Sequence, residues 1–426
     1  MSSIQLQTPI LEGGIRSINF FNGRLLSAED LTQEAAAQQD ARKRLGQAMG
    51  DGVASGLEVL PIAGAATKQN PVVTITRGLA VNRCGRTLAL PVDVDISLVR
   101  PQDSQTTIQT ATFDDCQPLQ SGTYVAGAGV YLLTIGPASG NEGRAPVSGL
   151  GNVAASCNSR YVVEGVQFRL LQIDLSLNTL NDRDHLRNRL AHACFGTTDT
   201  GMQAFFRDPF NTLVDGYGLL DMLRPNHLTD CEVPLALLYW TIDDGIAFVD
   251  MWSVRRRLTS PATMNRRWSP LLNDRRLAEA EAMFLQFEDQ IEDIRAREAD
   301  AMANIEAAQR FDSLPPLGML PVVAGGSPRG FDALTFFGEH ASRDIAMIDA
   351  NLLRHLLHEA LYHEAIDLSA PDKIQLYTIF ENVQALRAQQ TYQLALVFAS
   401  HALPYSGVAR FGFARWDLSR FATTVL

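Results

Sequence analysis

The feature that most constrains this chain is a run past its middle in which apolar residues recur at steps of three and four. Between Asn273 and Arg310 the positions are Leu277, Ala280, Phe284, Phe287, Ile291, Ile294, Glu298, Ala301, Ile305 and Ala308, and all but Glu298 are apolar. Their neighbours are mainly charged residues or alanine. Such spacing is a heptad pattern, which a helix satisfies by lining the apolar positions along one seam. A helix of this length spans roughly 55 Å. Phe284, Phe287, Ile291 and Ile294 are too bulky to stand in water together without making a large apolar patch. They must therefore meet another part of this chain, such as a helix over 27–49, or another chain. Glu298 interrupts the seam, and polar seam positions often set register or partner number. The seam residues and Glu298 are thus the candidate interface residues for self-association or docking to a second subunit. Pro315 and Pro316 forbid the helix from continuing.

The regions on either side switch to a period of two. Residues 1–60 hold an apolar run broken by Asn22-Gly23, and then Ser27 as the cap of a helix with Asp30 three residues on. That helix reaches about Met49 and ends at Gly50 and Gly52. Residues 61–180 read as a β-rich domain, with short strands at 72–76, 87–90, 130–135 and 161–175. A Gly/Ser/Pro stretch over 136–152 reads as an exposed loop. Residues 181–270 combine a charged helix over 182–195 with two apolar runs joined at Asp243-Asp244-Gly245, a hairpin signal. The long helix occupies 271–312, a Pro/Gly linker 313–330, and a C-terminal β-rich domain 331–426, with one helix near 349–364. The expected fold class is therefore α+β, with β-rich modules at both ends of the chain joined by the long heptad-patterned helix.

Composition bounds the function. With 426 residues, two or three domains are expected. The apolar fraction of 46% and charged fraction of 19% suit a folded protein. The net charge of −11 argues against nonspecific binding to nucleic acid or anionic lipid. No run of eighteen or more apolar residues exists to span a membrane. The first residues lack a basic start and an apolar core, so synthesis in the cytoplasm is expected, with any exit by lysis. Cys84, Cys116, Cys157, Cys194 and Cys231 are odd in number and lack CxxC spacing. They read as buried thiols, with a pairing of Cys157 to Cys116 or Cys194 open if the assembly is extracellular.

Few constellations could carry chemistry. His355, His358 and His363 cluster with Glu359 and Glu364. A zincin helix needs two histidines four apart. His358 and His363 are five apart, about 140° from each other around a helix, and cannot share an ion. His355, Glu359 and His363 do share a face and are the candidate metal ligands, but a solvated helix face is the preferred reading and no metal is expected. No GxSxG elbow, P-loop or GxGxxG frame occurs. The pairs Asp114-Asp115 and Asp243-Asp244 are explained by turns. Arg255-Arg256-Arg257 and Arg266-Arg267 lie near Trp252 and Trp268, a pattern that suits a subunit contact with an acidic neighbour better than nucleic acid. Nothing in the sequence asks for a cofactor or identifies an enzyme.

Several segments carry a resemblance together: residues 19–31 (NFFNGRLLSAEDL), 52–59 (GVASGLEV), 75–91 (ITRGLAVNRCGRTLALP), 159–170 (SRYVVEGVQFRL), 311–322 (FDSLPPLGMLPV) and the C-terminal RFGFARWDLSRF. In order and spacing the chain resembles a group of bacterial accessory structural proteins associated with phage-tail-like, extracellular contractile injection systems. The resemblance implies a structural subunit of such a particle, in its baseplate, cage or cap. It would work through contacts with other subunits and as a homo-oligomer, and the resemblance brings no catalytic residue with it. Two other classes stay open: a fibre or glycan-binding module of the particle, and a particle-associated hydrolase using the histidines or an acidic pair.

Overall fold

The computed structural model describes residues 11–62, 71–98, 129–145, 158–175, 180–197, 218–224, 226–241, 243–259, 274–322, 330–348, 353, 355, 358, 363–379 and 394–400. Helix α1 (Ala28–Met49) begins at a reciprocal cap: Ser27 Oγ accepts from the Asp30 amide at 3.2 Å, and Asp30 Oδ2 accepts from the Ser27 amide at 3.0 Å. Its other end rests on a glycine contact. A Cβ on Gly46 would stand 2.1 Å from the Gly85 carbonyl oxygen, so only glycine lets the helix lie on that turn.

Six short strands follow: β1 (Gly52–Gly56), β2 (Val59–Pro61), β3 (Val72–Ile75), β4 (Gly78–Val81), β5 (Thr87–Leu90) and β6 (Val94–Ser97). They form two antiparallel three-stranded sheets, ordered β1-β4-β5 and β2-β3-β6. A larger antiparallel sheet joins β7 (Gly129–Ala145), β8 (Asn158–Ile173), β9 (Val233–Thr241) and β10 (Gly245–Asp250) in the order β10-β9-β7-β8. Strand β9 is buried at every position. Both faces of this sheet are covered, which is why its sequence is a continuous apolar run with no alternation. Tyr131, Leu133 and Ile135 pack with Val53, Leu57, Val73 and Ile75 of the small sheets. Val130 and Leu132, one residue out of phase, pack with Leu186, Leu190 and Cys194 of helix α2 (Arg183–Phe195). The short helix α3 (Gly218–Leu223) adds to that second layer.

The stretch expected as a loop from Gly136 continues as strand through Ala145. Pairing of β7 with β9 stops at Ile135, while pairing with β8 runs on to Ala145↔Asn158. Beyond Ile135, among the described residues, the strand has one edge without a neighbouring strand, where Pro137 removes no ladder bond. The result is a two-stranded arm reaching past the body of the sheet.

Helix α4 (Asp274–Arg297) holds 24 residues, about 36 Å, and it corrects the expected architecture. The heptad helix does not reach Arg310. After Arg297 the chain turns through short 3-10 segments at Met302–Asn304 and Ala307–Gln309. The reason is tertiary: Met302, Ile305, Ala307 and Phe311 fold back onto the same core as Phe287, Ile291 and Ile294. Arg310 fastens the turn, donating to both Glu298 carboxylate oxygens at 3.0 and 3.1 Å. The longest described helix thus packs within its own chain, and helices and strands interleave in a mixed α/β arrangement. β-rich ends joined by a long helix are not seen.

The C-terminal part comprises β11 (Ser313–Leu314), β12 (Leu317–Val322), helix α5 (Ala333–Phe337), β13 (Ala341–Ile348), β14 (Ile366–Asp367), β15 (Ile374–Ile379) and β16 (Leu394–Ala399). Its sheet runs β12-β16-β15-β13, with only the β13–β15 pair parallel. An aromatic cluster seals it against α4: Phe287 meets Phe311 and Phe398 at 5.4 and 5.2 Å between ring centroids, and Phe336 meets Phe337 at 5.0 Å. Among the described residues, no helix is long and apolar enough to cross a membrane.

Candidate interaction surface

The polar side chains of α2 are mostly turned inward. Arg187 sits among three carboxylates: Nε donates to Asp250 Oδ2 at 2.9 Å, Nη1 to Asp293 Oδ2 at 2.6 Å and Nη2 to Asp289 Oδ2 at 2.5 Å. Asp250 is fully buried. It also accepts from the Ser253 amide and from Gln286 Nε2, each at 3.0 Å. Burial works to lower the Arg187 pKa, but the surrounding carboxylates outweigh it and hold the guanidinium above its usual range. At Asp289 burial wins, and the pull of Arg187 only partly offsets a raised pKa.

The rest of the helix continues the pattern. Asn188 donates to the Ser313 carbonyl at 2.9 Å and accepts from the Asp312 and Ser313 amides at 2.9 and 3.1 Å. Arg189 pairs with Asp182 at 2.7 Å and also with Asp312. His192 is buried beside Thr197, and burial lowers its pKa to about 4. Burial pushes the Cys194 thiol up to about 12, so it is protonated and a poor nucleophile near neutral pH. These groups satisfy one another and join α2 to α4, β10 and the Asp312 turn. Chemically the cluster is a clamp.

The basic run is likewise used inside the chain. Arg255 donates to the Leu57 and Gly56 carbonyls at 2.9 and 2.6 Å. Arg256 donates to the Trp252 and Arg255 carbonyls, both at 2.9 Å, with its guanidinium 4.9 Å from the Phe195 ring centroid. Arg257 pairs with Glu281 at 2.9 Å. Arg266, Arg267 and Trp268 lie outside the described residues.

The candidate interface residues of the seam are placed in the interior. Phe287, Ile291 and Ile294 are buried in the C-terminal core. Phe284 is half-buried against Leu317 and Val397. Glu298 is held by Arg310, which also pairs with Asp184 at 2.7 Å. Of the candidate metal ligands, His355 is exposed, His363 is half-buried and Glu359 lies outside the described residues. Among the described residues, no three His, Cys, Asp or Glu side chains are grouped to hold a metal ion.

The unexpected feature is the N-terminal surface. Two adjacent aromatics in a turn-bounded run suggest a core contact, yet Phe20, Phe21 and Leu25 are 55%, 63% and 93% exposed. The segment from Leu11 to Leu26 is a strap laid along α1 and tied to it by polar contacts. Arg24 pairs with Asp30 at 2.7 Å, the Ile18 amide donates to Glu34 at 3.0 Å, and Arg44 donates to the Gly13 carbonyl at 2.9 Å. With its backbone held this way, the strap turns apolar side chains outward. The β7–β8 arm also touches α1, where Gln39 meets Glu164 at 3.2 Å, and its Tyr161, Val162 and Val163 are exposed. Strap and arm thus each carry exposed apolar side chains and each is joined to α1 by polar bonds. No protein-family model and no curated protein matches this chain.

Proposed function

We propose that the chain is a structural subunit of a phage-tail-like contractile injection particle, in its baseplate, cage or cap. It would act by holding other subunits rather than by catalysis. The observation that carries this reading is the N-terminal surface. Phe20, Phe21, Leu25 and Leu26 stand in water, whereas Phe195, Phe287, Phe311, Phe336 and Phe398 are buried. Large apolar side chains exposed near one another on one segment suit a surface that another protein covers. The resemblance of the segments over 19–31, 52–59 and 75–91 to accessory particle proteins supports the same reading, because the end of the strap and the first turn of α1 fall within the first of them.

The test is incorporation. A Phe20→Ser, Phe21→Ser, Leu25→Ser variant touches no described core and should fold and melt like the wild type. Particles assembled in its presence should lack it or hold it loosely after gradient purification. Retention at the wild-type level would remove this surface, and with it the main support for the structural role.

A further inference from the structure

The turn that follows α4 is tied to the start of α2, and a histidine stands between them. His185 lies in the first turn of α2 and is partly buried. Its ring reaches oxygens on two different elements. Nδ1 stands 3.0 Å from Asp182 Oδ1, and Nε2 stands 2.9 Å from the Ala308 carbonyl oxygen in the second 3-10 segment. Asp312 Oδ1 lies 3.8 Å from the same Nε2. An ionised carboxylate and a carbonyl can only accept a hydrogen bond. A neutral imidazole has one N–H, so in either tautomer it donates to Asp182 or to Ala308 and turns a lone pair on the other. The doubly protonated ring donates to both at once.

The charges around the ring favour that form. The start of α2 supplies Asp182, Asp184 and Arg189, and the turn supplies Glu298, Arg310 and Asp312. Arg189 pairs with Asp182 at 2.7 Å and with Asp312, while Arg310 pairs with Asp184 at 2.7 Å and with Glu298 at 3.0 Å. Arg183 is engaged elsewhere, with Asp244. Two arginines thus face four carboxylates among the described residues, and a cation at His185 reduces the excess of negative charge. His192, further along α2, also feels Asp312, but burial lowers its pKa to about 4 and leaves it neutral. At His185 burial opposes the charge, but the bonds to Asp182 and Ala308 and the charges of Asp182 and Asp312 outweigh it, and its pKa lies above the ordinary value of 6.5. The turn held in this way carries core residues: Met302, Ile305, Ala307 and Phe311 are buried with Phe287 and Ile291.

We propose that His185 is a pH-sensitive latch, which ties the turn after α4 to α2 while its ring is doubly protonated and lets the turn open as the ring loses a proton. The latch is independent of the N-terminal surface. With the carboxylates ionised, the tie is fully present below pH 6.5 and is lost as the pH rises through the raised value of the folded chain. Glu288 titrates over a neighbouring window, so the test uses the full chain carrying Glu288→Gln. The readout is amide hydrogen exchange at Asn304, Ile305, Arg310 and Phe311, each of which donates within the turn. After correction for the intrinsic pH dependence of exchange, their protection should fall about threefold or more between about pH 6 and pH 8, with the β9 amides unchanged. His185→Gln, whose amide donates at every pH, should remove that step. Nitrogen-labelled histidine gives an independent measurement on the chain with His185 intact. The ring signals that vanish in His185→Gln should show both nitrogens protonated at the acid end and a titration midpoint above 6.5. Turn protection indifferent to pH, a step that survives His185→Gln, or a midpoint at or below 6.5 would each overturn the proposal.

Discussion

Arg187 and Asp250 stabilise the fold only as a pair. Removing the guanidinium leaves a carboxylate with no exposure and one compensating cation fewer. Arg187→Met should cost on the order of 3–5 kcal/mol in urea unfolding; a loss below about 1 kcal/mol would show that the aspartates find other partners. Glu288 gives a pH signature. Burial raises its pKa to about 7, with the Met319 amide at 2.8 Å pulling back only in part. Between the ordinary value of 4.5 and about 7, the folded state holds a proton that the unfolded state has released. Stability therefore falls as pH rises through that window and levels off above it. Glu288→Gln keeps an acceptor for the amide and should flatten the slope, with a gain on the order of 3 kcal/mol at pH 8. An unchanged pH profile would contradict this. At the exposed strap, Phe21→Ala should change stability by less than about 0.5 kcal/mol, where a core aromatic would cost about 3 or more.

Elements defined by local chemistry were legible in the sequence. The Ser27 cap, the charged helix over 182–195, the 72–76 strand and the Asp243-Asp244-Gly245 hairpin all depend on neighbours a few residues apart. Elements decided by distant contacts were not. The seam from Leu277 to Ala308 keeps its apolar spacing after Arg297, but the later positions reach the core better from a turn than from a continuing helix. Pro137 looked like a loop residue because the sequence does not show that β9 leaves that edge. The α4 assignment is testable: Ile291→Asp with Ile294→Asp should unfold the chain, as seen by circular dichroism, since both side chains lie in the core. A folded variant that merely loses an oligomer would restore the intermolecular seam. Gly46→Ala tests the seat of α1. Alanine favours a helix by about 1 kcal/mol, but here its Cβ collides with the Gly85 carbonyl. Faster amide hydrogen exchange across Ala28–Met49, with the β9 amides unchanged, is the expected result.

On the scale of the molecule, the described cores lean very little on the N-terminal region. From the strap and α1, only Ala37 and Gly46 are buried, and neither belongs to a main core cluster. A chain starting at Asp51 should melt within a few degrees of the full one. The candidate contact surface escaped the sequence reading for the same reason: Phe20-Phe21 looks alike whether the strap packs inward or outward, and only polar anchors such as Ile18 to Glu34 decide which. The most direct measurement of the central claim is hydroxyl-radical footprinting of the chain, free and in assembled particles. Phe20, Phe21 and Leu25 should be oxidised readily in the free chain and protected on assembly, while Phe287 and Phe398 stay protected in both. Equal oxidation of the N-terminal side chains in both states would contradict the account.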